Sequence, residues 1–288
     1  MRIDLHTHTT FSDGTFTPEA LVREAEDNDV AVLAVTDHDT LLGIGPAMAA
    51  AGSGKVTVVP GVELSIDMDL RDSGYIHLLG LFIDHRGSAL QQRLAQLRSA
   101  RDGRNRIILD KLSRLDMPIT ESELEQEAGA GSAGRPHIGS LMVGKGYVKS
   151  LQEAFDKYLK EGAPAFADRE KLNFEEACDL IHRAGGLAIL AHPVSLRISD
   201  KAELENFLLK LRSAGMDGLE VYSSFHRPYF SRLLRTLAKS HGLLISGGSD
   251  FHGGNKPGIR LGRGTGRLNI PLSIYDDLLR AVRARHRS

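Results

Sequence analysis

The sequence predicts an α/β fold in which about seven buried strands alternate with helices, and three observations carry this. Short, continuous apolar runs recur along the chain, as at 30–35 and 187–190, and such runs mark strands covered on both faces. Segments with helix caps and helical periodicity lie between them. Nearly every apolar run stops at a histidine or a carboxylate. Alternation of this kind calls for parallel strands with right-handed crossovers, so an open doubly wound sheet and a closed barrel are the two candidates. No G-x-G-x-x-G and no phosphate-loop signature follows any strand, which disfavours a nucleotide-binding open sheet.

The first strand runs into Ile3-Asp4-Leu5-His6-Thr7-His8 and is followed by Asp13-Gly14. Thr17 is a natural N-cap, with Pro18 at the first helical position. The run 30–35 stops at Thr36-Asp37-His38-Asp39, and a short Gly- and Ala-rich helix follows near 45–51. A strand over 56–62 ends at Glu63, and another over 75–83 has His77 inside it. An arginine-rich helix spans about 90–115, and Thr120 with Glu123 forms a capping box that opens the next. A glycine-rich loop over 129–134 leads into Arg135-Pro136-His137, followed by more helical sequence to Lys160. From Asn173 the alternation returns: a helix, a strand at 187–190 ending in Ala191-His192-Pro193, and a helix at 200–213. A strand at 219–222, a helix at 227–240, and a strand at 243–245 leading to Ser249-Asp250-Phe251-His252 come next. A last helix at 273–283 packs the C-terminus. Residues 100–170 break the rhythm and read as an inserted helical subdomain, with 1–99 and 171–288 forming the main domain.

The chain has 288 residues, 41% of them hydrophobic and 25% charged, enough for one large core. Its net charge of -1 supplies no global basic field, which argues against a long nucleic-acid partner but not against a small anion held by local arginines. Cys178 is the only cysteine, so there is neither a disulfide framework nor a thiolate zinc cage. With no apolar leader and no apolar run of about 18 residues, the expectation is a cytoplasmic protein that crosses no membrane.

On an extended segment alternate side chains share a face, so His6 and His8 can aim two imidazoles at one cation. An HxH pair alone is weak evidence. The same pattern at the other strand ends extends it to nine residues: His6, His8, Asp13, His38, Glu63, His77, His192, Asp250 and His252. They can converge only if the strands close into a barrel, because a parallel barrel gathers its functional residues at the C-terminal mouth. His77 is the one member not at a strand's C-terminal end. His85, His182, His241 and His286 fall in loops or on helices and read as structural. Nine nitrogen and oxygen donors suit two or three ions, and Glu63, with two oxygens, is the candidate bridge. Imidazole and carboxylate donors without thiolate fit Mn2+, Zn2+ or Fe2+.

Asp4-Leu5-His6-Thr7-His8, Thr36-Asp37-His38-Asp39, Ala191-His192-Pro193 and Ser249-Asp250-Phe251-His252 together resemble the four motifs of the polymerase and histidinol phosphatase (PHP) superfamily, in that family's order. The resemblance implies a distorted (β/α)7 TIM-like barrel carrying three ions, expected to be Mn2+. Residue by residue it implies His6, His8, Glu63 and Asp250 on the first ion; Glu63, His77 and His192 on the second; and Asp13, His38 and His252 on the third. Some members have a histidine where this chain has Asp13, which leaves the metal open. The insert and the Gly134-Arg135-Pro136-His137 segment look most like the nucleoside 3′,5′-bisphosphate phosphatases, and some related members trim short RNA from the 5′ end.

These features lead to the expectation of a metal-dependent phosphoric monoester hydrolase. It would act on the 3′-phosphate of nucleotides such as adenosine 3′,5′-bisphosphate. A hydroxide bridging two cations is the expected nucleophile, so no side chain beyond the ligands is expected to be catalytic. A second phosphate needs its own anion site, for which Arg104, Asn105, Arg135, His137 and Lys256 are the candidates. Arg135, read as sitting in the glycine-rich loop before a proline, is expected to face a ligand, whereas Arg98 and Arg101 read as a solvated helix face. Tyr222 and Phe225, past the sixth strand, read as packing residues that could also stack on a base. The alternatives are a 5′-to-3′ exoribonuclease on short RNA and a histidinol phosphatase; the arginines disfavour the latter, whose amine substrate would want a carboxylate. A non-catalytic metal-binding module would be expected to have lost ligands.

Overall fold

The computed structural model describes residues 2–287 apart from 69, 71–73, 130–132, 169 and 171. The central part of the 129–134 loop therefore lies outside the described residues. The chain divides into two compact units, Met1–Gln92 with Lys171–Ser288, and Arg93–Glu170.

In the first unit the elements run β1 (Arg2–Asp4), α1 (Pro18–Asp27), β2 (Val30–Val35), α2 (Ile44–Ala51), β3 (Thr57–Ser65) and β4 (His77–Leu81). The helix α3 (Ser88–Ser113) then leads into the second unit, which adds α4 (Glu121–Ala128), α5 (Arg135–Gly144) and α6 (Leu151–Ala154). The first unit resumes with α7 (Phe174–Arg183), β5 (Leu187–Leu190), α8 (Lys201–Ser213), β6 (Gly218–Ser223), α9 (Pro228–Ser240), β7 (Leu244–Gly248) and α10 (Leu272–Arg285). Thr17, Asn173 and Asp200 cap α1, α7 and α8 by accepting backbone N–H groups, and Thr120 with Glu123 forms the capping box of α4. No helix among the described residues is long and apolar enough to cross a membrane.

The seven strands form one sheet in chain order, β1 to β7. Its ends come together: Leu5 N–H donates to the Gly247 carbonyl at 3.2 Å, Asp250 N–H to His6 O at 2.9 Å and His8 N–H to Phe251 O at 2.9 Å, so the sheet is nearly closed into a barrel. Gly248 permits this closure, since a Cβ there would stand 2.3 Å from the His6 Cβ. Alternate residues of the strands, Ile3 and Leu5, Val32 and Ala34, Leu79 and Leu81, and Leu187, Ile189 and Ala191, form one buried cluster, the period-two pattern of a barrel interior. The last helix adds Ile274, Leu278 and Val282 to the same cluster.

The all-parallel expectation is corrected. β4 runs antiparallel to both β3 and β5, and the other pairings are parallel. The cause is visible in the chain: residues 66–76 are too few for the long crossover that a parallel pair needs and an antiparallel pair does not. Reversal also explains the exceptional position of His77. As the first residue of a reversed strand, paired with Ser65, it sits at the same mouth as the C-terminal ends of the parallel strands.

The second unit has its own core, which includes Ile108, Leu112, Ile138, Met142 and Leu159. Two sequence expectations change here. Arg135 is not in a loop: it is the first residue of α5, after the Gly134 N-cap and before Pro136. Arg101 is not on a solvated face, being buried along α3 together with Arg104 and Asn105.

Candidate metal centre

The strand ends deliver the side chains to one point. β1 continues past Asp4 as extended chain and places His6 and His8, both fully buried, against Glu63. Beyond the end of β2 the pairing with β3 persists, Asp39 N–H donating to the Glu63 carbonyl at 2.9 Å, and this sets His38 beside Glu63. The turn after β7 brings Asp250 and His252. His192, Asp250 and Asp39 have φ of 26°, 57° and 53°, a region that L-residues adopt at a cost, so three of the motifs carry backbone strain.

Glu63 stands at the centre. Its Oε2 is 3.1 Å from His6 Nε2, 3.1 Å from His8 Nε2 and 3.3 Å from His38 Nδ1. Its Oε1 faces the other way, 2.9 Å from His77 Nδ1 and 3.0 Å from His192 Nε2. Asp250 Oδ1 lies 3.2 Å from His8 Nε2 and 3.5 Å from His6 Nε2. Asp13, at the rim, lies 3.2 Å from His252 Nε2 and 3.8 Å from His38 Nε2. Three sets could each hold an ion: His6, His8, Glu63 and Asp250; His38, Glu63 and His77; and His8, Asp13, His38 and His252. Eight of the nine residues expected as ligands fall in these sets, and Glu63 belongs to two of them; His192 falls in none, but its Nε2 faces the Glu63 Oε1 at the same mouth.

The donors fit cations better than they fit each other. His6 Nε2, His8 Nε2 and His38 Nδ1 are buried and make no hydrogen bond, although carboxylate oxygens lie close by. Donors about 2.0–2.2 Å from a shared ion sit roughly 3.0–3.5 Å from one another, which is the spacing observed. The electrostatics agree. Burial opposes charge throughout, yet Glu63 and Asp250 are held well below the usual carboxylate range by the surrounding imidazoles. Against the same burial, the carboxylates lift His6 well above its usual range and His8 to about 10. His38 is pushed down to about 4, chiefly by burial.

The PHP domain model matches residues 4–184, more than half of the chain. The chain belongs to the PHP domain family. It is 36% identical over 273 residues to the 5′-3′ exoribonuclease Rnm of Escherichia coli K12, covering 94% of this chain and 90% of the relative. It is 32% identical over 261 residues to the 3′,5′-nucleoside bisphosphate phosphatase of Chromobacterium violaceum, covering 90% of each. Among solved structures, a Chromobacterium violaceum protein described as an amidohydrolase with bound sulfate superposes with a TM-score of 0.78 at 31% identity, covering 99% of this chain and 97% of that one. This PHP protein is a metal-dependent phosphoesterase.

Further carboxylates stand behind the donors of this PHP site, and one of them, Glu220, lies outside the strand-end motifs. Glu220, fully buried in β6, places both oxygens 3.2 Å from His6 Nδ1 and accepts the His192 backbone N–H at 2.7 Å. The signal for it is a lone carboxylate inside the apolar run Leu219-Glu220-Val221. Asp37 accepts from Thr9 N–H and Thr9 Oγ1, each at 2.7 Å, and from Ser12 Oγ at 2.6 Å, fixing the loop after His8. Asp4 accepts from Ser249 N–H at 2.7 Å and Gly262 N–H at 2.8 Å; burial raises its carboxyl to about 6. Tyr75, half exposed, covers one side of the mouth, its ring 5.0 Å from that of His77 and 5.7 Å from that of His192.

Lys256 reaches the centre itself: its Nζ donates to Asp250 Oδ2 at 2.7 Å and lies 5.2 Å from the Phe225 ring centroid. Arg104, Asn105, Arg135 and His137 belong to the second unit. There Asn105 Nδ2 donates to the Ala133 carbonyl at 3.1 Å, the Arg135 guanidinium to the Leu159 carbonyl at 3.3 Å, and Gly134 N–H to His137 Nδ1 at 3.1 Å. Three of the four histidines read as structural have partners elsewhere: His182 Nε2 with Asp217 at 2.9 Å, His241 Nε2 with Glu205 at 2.7 Å, and His286 with the Gly185 carbonyl at 3.0 Å.

Proposed function

We propose that this PHP phosphoesterase hydrolyses the 3′-phosphate of nucleoside 3′,5′-bisphosphates, such as adenosine 3′,5′-bisphosphate, to the 5′-monophosphate and phosphate. The observation that carries the reading is Glu63, whose two oxygens face two separate sets of imidazoles, as a carboxylate shared between cations must. The ligands are His6, His8, Asp13, His38, Glu63, His77, His192, Asp250 and His252, holding three Mn2+ ions, with Zn2+ or Fe2+ as the other ions these donors suit. Bound there, the cations neutralise a phosphate dianion and lower the pKa of water toward neutrality. The chain's own contribution is to hold the ligands rigid. Glu220 and the Ser195 hydroxyl, 3.3 Å from His192 Nδ1, orient two of the rings. Lys256 brings a further positive charge to the rim at Asp250. The chemistry of Arg104, Asn105, Arg135 and His137 suits the substrate's other phosphate.

A second reading, 5′-to-3′ hydrolysis of short RNA, is favoured by the 36% identity to the Escherichia coli exoribonuclease. Release of 5′-mononucleotides from the 5′ end breaks the same bond, between phosphorus and O3′, in a nucleotide whose 3′-phosphate carries a further residue. One centre can serve both.

Phosphate and nucleotide release with Mn2+ tests this, comparing adenosine 3′,5′-bisphosphate, AMP, histidinol phosphate and a short 5′-phosphorylated RNA. The bisphosphate or the RNA should lead. Preference for histidinol phosphate would overturn the substrate assignment.

A further inference from the structure

We propose that the cleft between the end of β6, α9 and residues 265–269 is a second binding site, shaped for the phosphodiester backbone of single-stranded RNA. It has a volume of about 540 Å3. Arg227, Arg232, Arg235 and Arg267 line it, and no carboxylate does. All four are exposed, and none of the four guanidiniums has an ion pair or hydrogen bond among the described residues. The whole chain balances 36 basic against 37 acidic residues, so this concentration is local and not a consequence of composition. Like charges gathered around one cleft repel one another, and a polyanion relieves that repulsion.

The arrangement suits a chain of phosphates better than a single one. Arg232 and Arg235 follow each other on one face of α9, Arg227 stands at the helix N-cap, and Arg267 comes from the separate segment after β7. Cations strung along a groove with an aromatic face in the lining are the usual means of binding a single strand without reading its sequence, and Tyr222 supplies the ring here.

Strand β6 links this cleft to the metal centre. Glu220 touches His6, and Ser223 and Ser224, three and four residues further on, line the cleft, about 10–13 Å along an extended chain. Ser224 Oγ donates to the carbonyl of Ser249 at 2.6 Å, immediately before Asp250. A strand whose first phosphodiester occupies the metal centre reaches the cleft with its next nucleotides. The proposal rests on short RNA being a substrate.

The test uses the full chain loaded with Mn2+ and a fluorescent oligouridylate octamer whose 5′-terminal linkages are phosphorothioates, to slow hydrolysis. Affinity is measured against salt for the wild type, for R232A/R235A/R267A and for R232K/R235K/R267K. The alanine variant should bind at least roughly tenfold more weakly, and its slope of log affinity against log salt should be shallower by about 2, near 0.7 for each lost phosphate contact on a single strand. The lysine variant should keep the slope, and all three proteins should hydrolyse adenosine 3′,5′-bisphosphate at the same rate. Unchanged octamer affinity and slope in the alanine variant would overturn the cleft, even if RNA is shortened normally. If the arginines govern octamer binding but no RNA is ever shortened, the cleft stands and the RNA reading of the metal centre falls.

Discussion

Glu220 offers the sharpest check on how the centre is built. Replacing it by glutamine keeps the shape and one carbonyl oxygen but removes the charge behind His6. In the native site the strongest bond from Glu220 is the 2.7 Å acceptance of His192 N–H, while both contacts to His6 Nδ1 are 3.2 Å, long for a charge-assisted pair. A glutamine can satisfy His192 with its oxygen but then turns an amide N–H toward the His6 Nδ1–H, donor against donor. Loss of such an outer partner lowers metal affinity about 10- to 100-fold, and the length of the His6 contacts places Glu220→Gln at the lower end, about tenfold or roughly 1.4 kcal/mol. Glu220→Ala goes further: it leaves the buried His192 N–H without an acceptor, a stability loss of about 1–3 kcal/mol. Chelator competition with Mn2+ gives the affinity, and urea unfolding of the metal-stripped proteins gives the stability. If the glutamine variant binds Mn2+ within twofold of wild type, Glu220 does not orient His6 and the assignment of His6 as a ligand loses its support.

Three further outcomes are expected. Gly248→Ala should lower stability by about 1–3 kcal/mol and reduce metal-dependent turnover, because its Cβ would stand 2.3 Å from the His6 Cβ and 2.5 Å from its backbone nitrogen; a thermal melt and a rate equal to wild type would contradict the close approach of β7 to β1. Asp217, although burial works to raise its carboxyl, is held below the usual range by His182, Arg285 and the Ala188 N–H. A depressed folded pKa contributes stability above the unfolded value near 4 and loses it as pH falls through the folded value. Asp217→Asn should therefore lose about 2 kcal/mol at neutral pH, with the gap to wild type narrowing in urea melts below about pH 4; a gap that stays constant into strong acid would refute the ionic role. Burial, helped by Asp217 and Glu175, pushes the Cys178 thiol up to about 12, so an aromatic disulfide reagent at pH 8 should label it only in denaturant, and rapid stoichiometric labelling of the folded protein would show that the side chain is not enclosed.

The sequence was most legible where one local rule sufficed. Apolar runs marked the strands, Thr17, Thr120, Asn173 and Asp200 marked helix starts, and histidines or carboxylates at the ends of those runs marked the mouth. It misled where a local reading ignored the connection. Residues 66–76 are too few for a parallel crossover, which decides that β4 is reversed, and only reversal brings His77 to the mouth. Arg135 was placed in a loop because of its glycine neighbours, although Gly134 caps a helix that Arg135 begins.

By itself the sequence determined the fold class and the family and pointed to nine candidate donors, because strand periodicity and motif spacing are written along the chain. Only the tertiary structure decided which donors share an oxygen of Glu63, that Glu220 stands behind His6, and that four arginines from α9 and the segment after β7 face one cleft. Those are pairings between residues many positions apart, fixed when the sheet closes on itself and brings β7 against β1, and no spacing along the chain encodes the distance across a closed barrel.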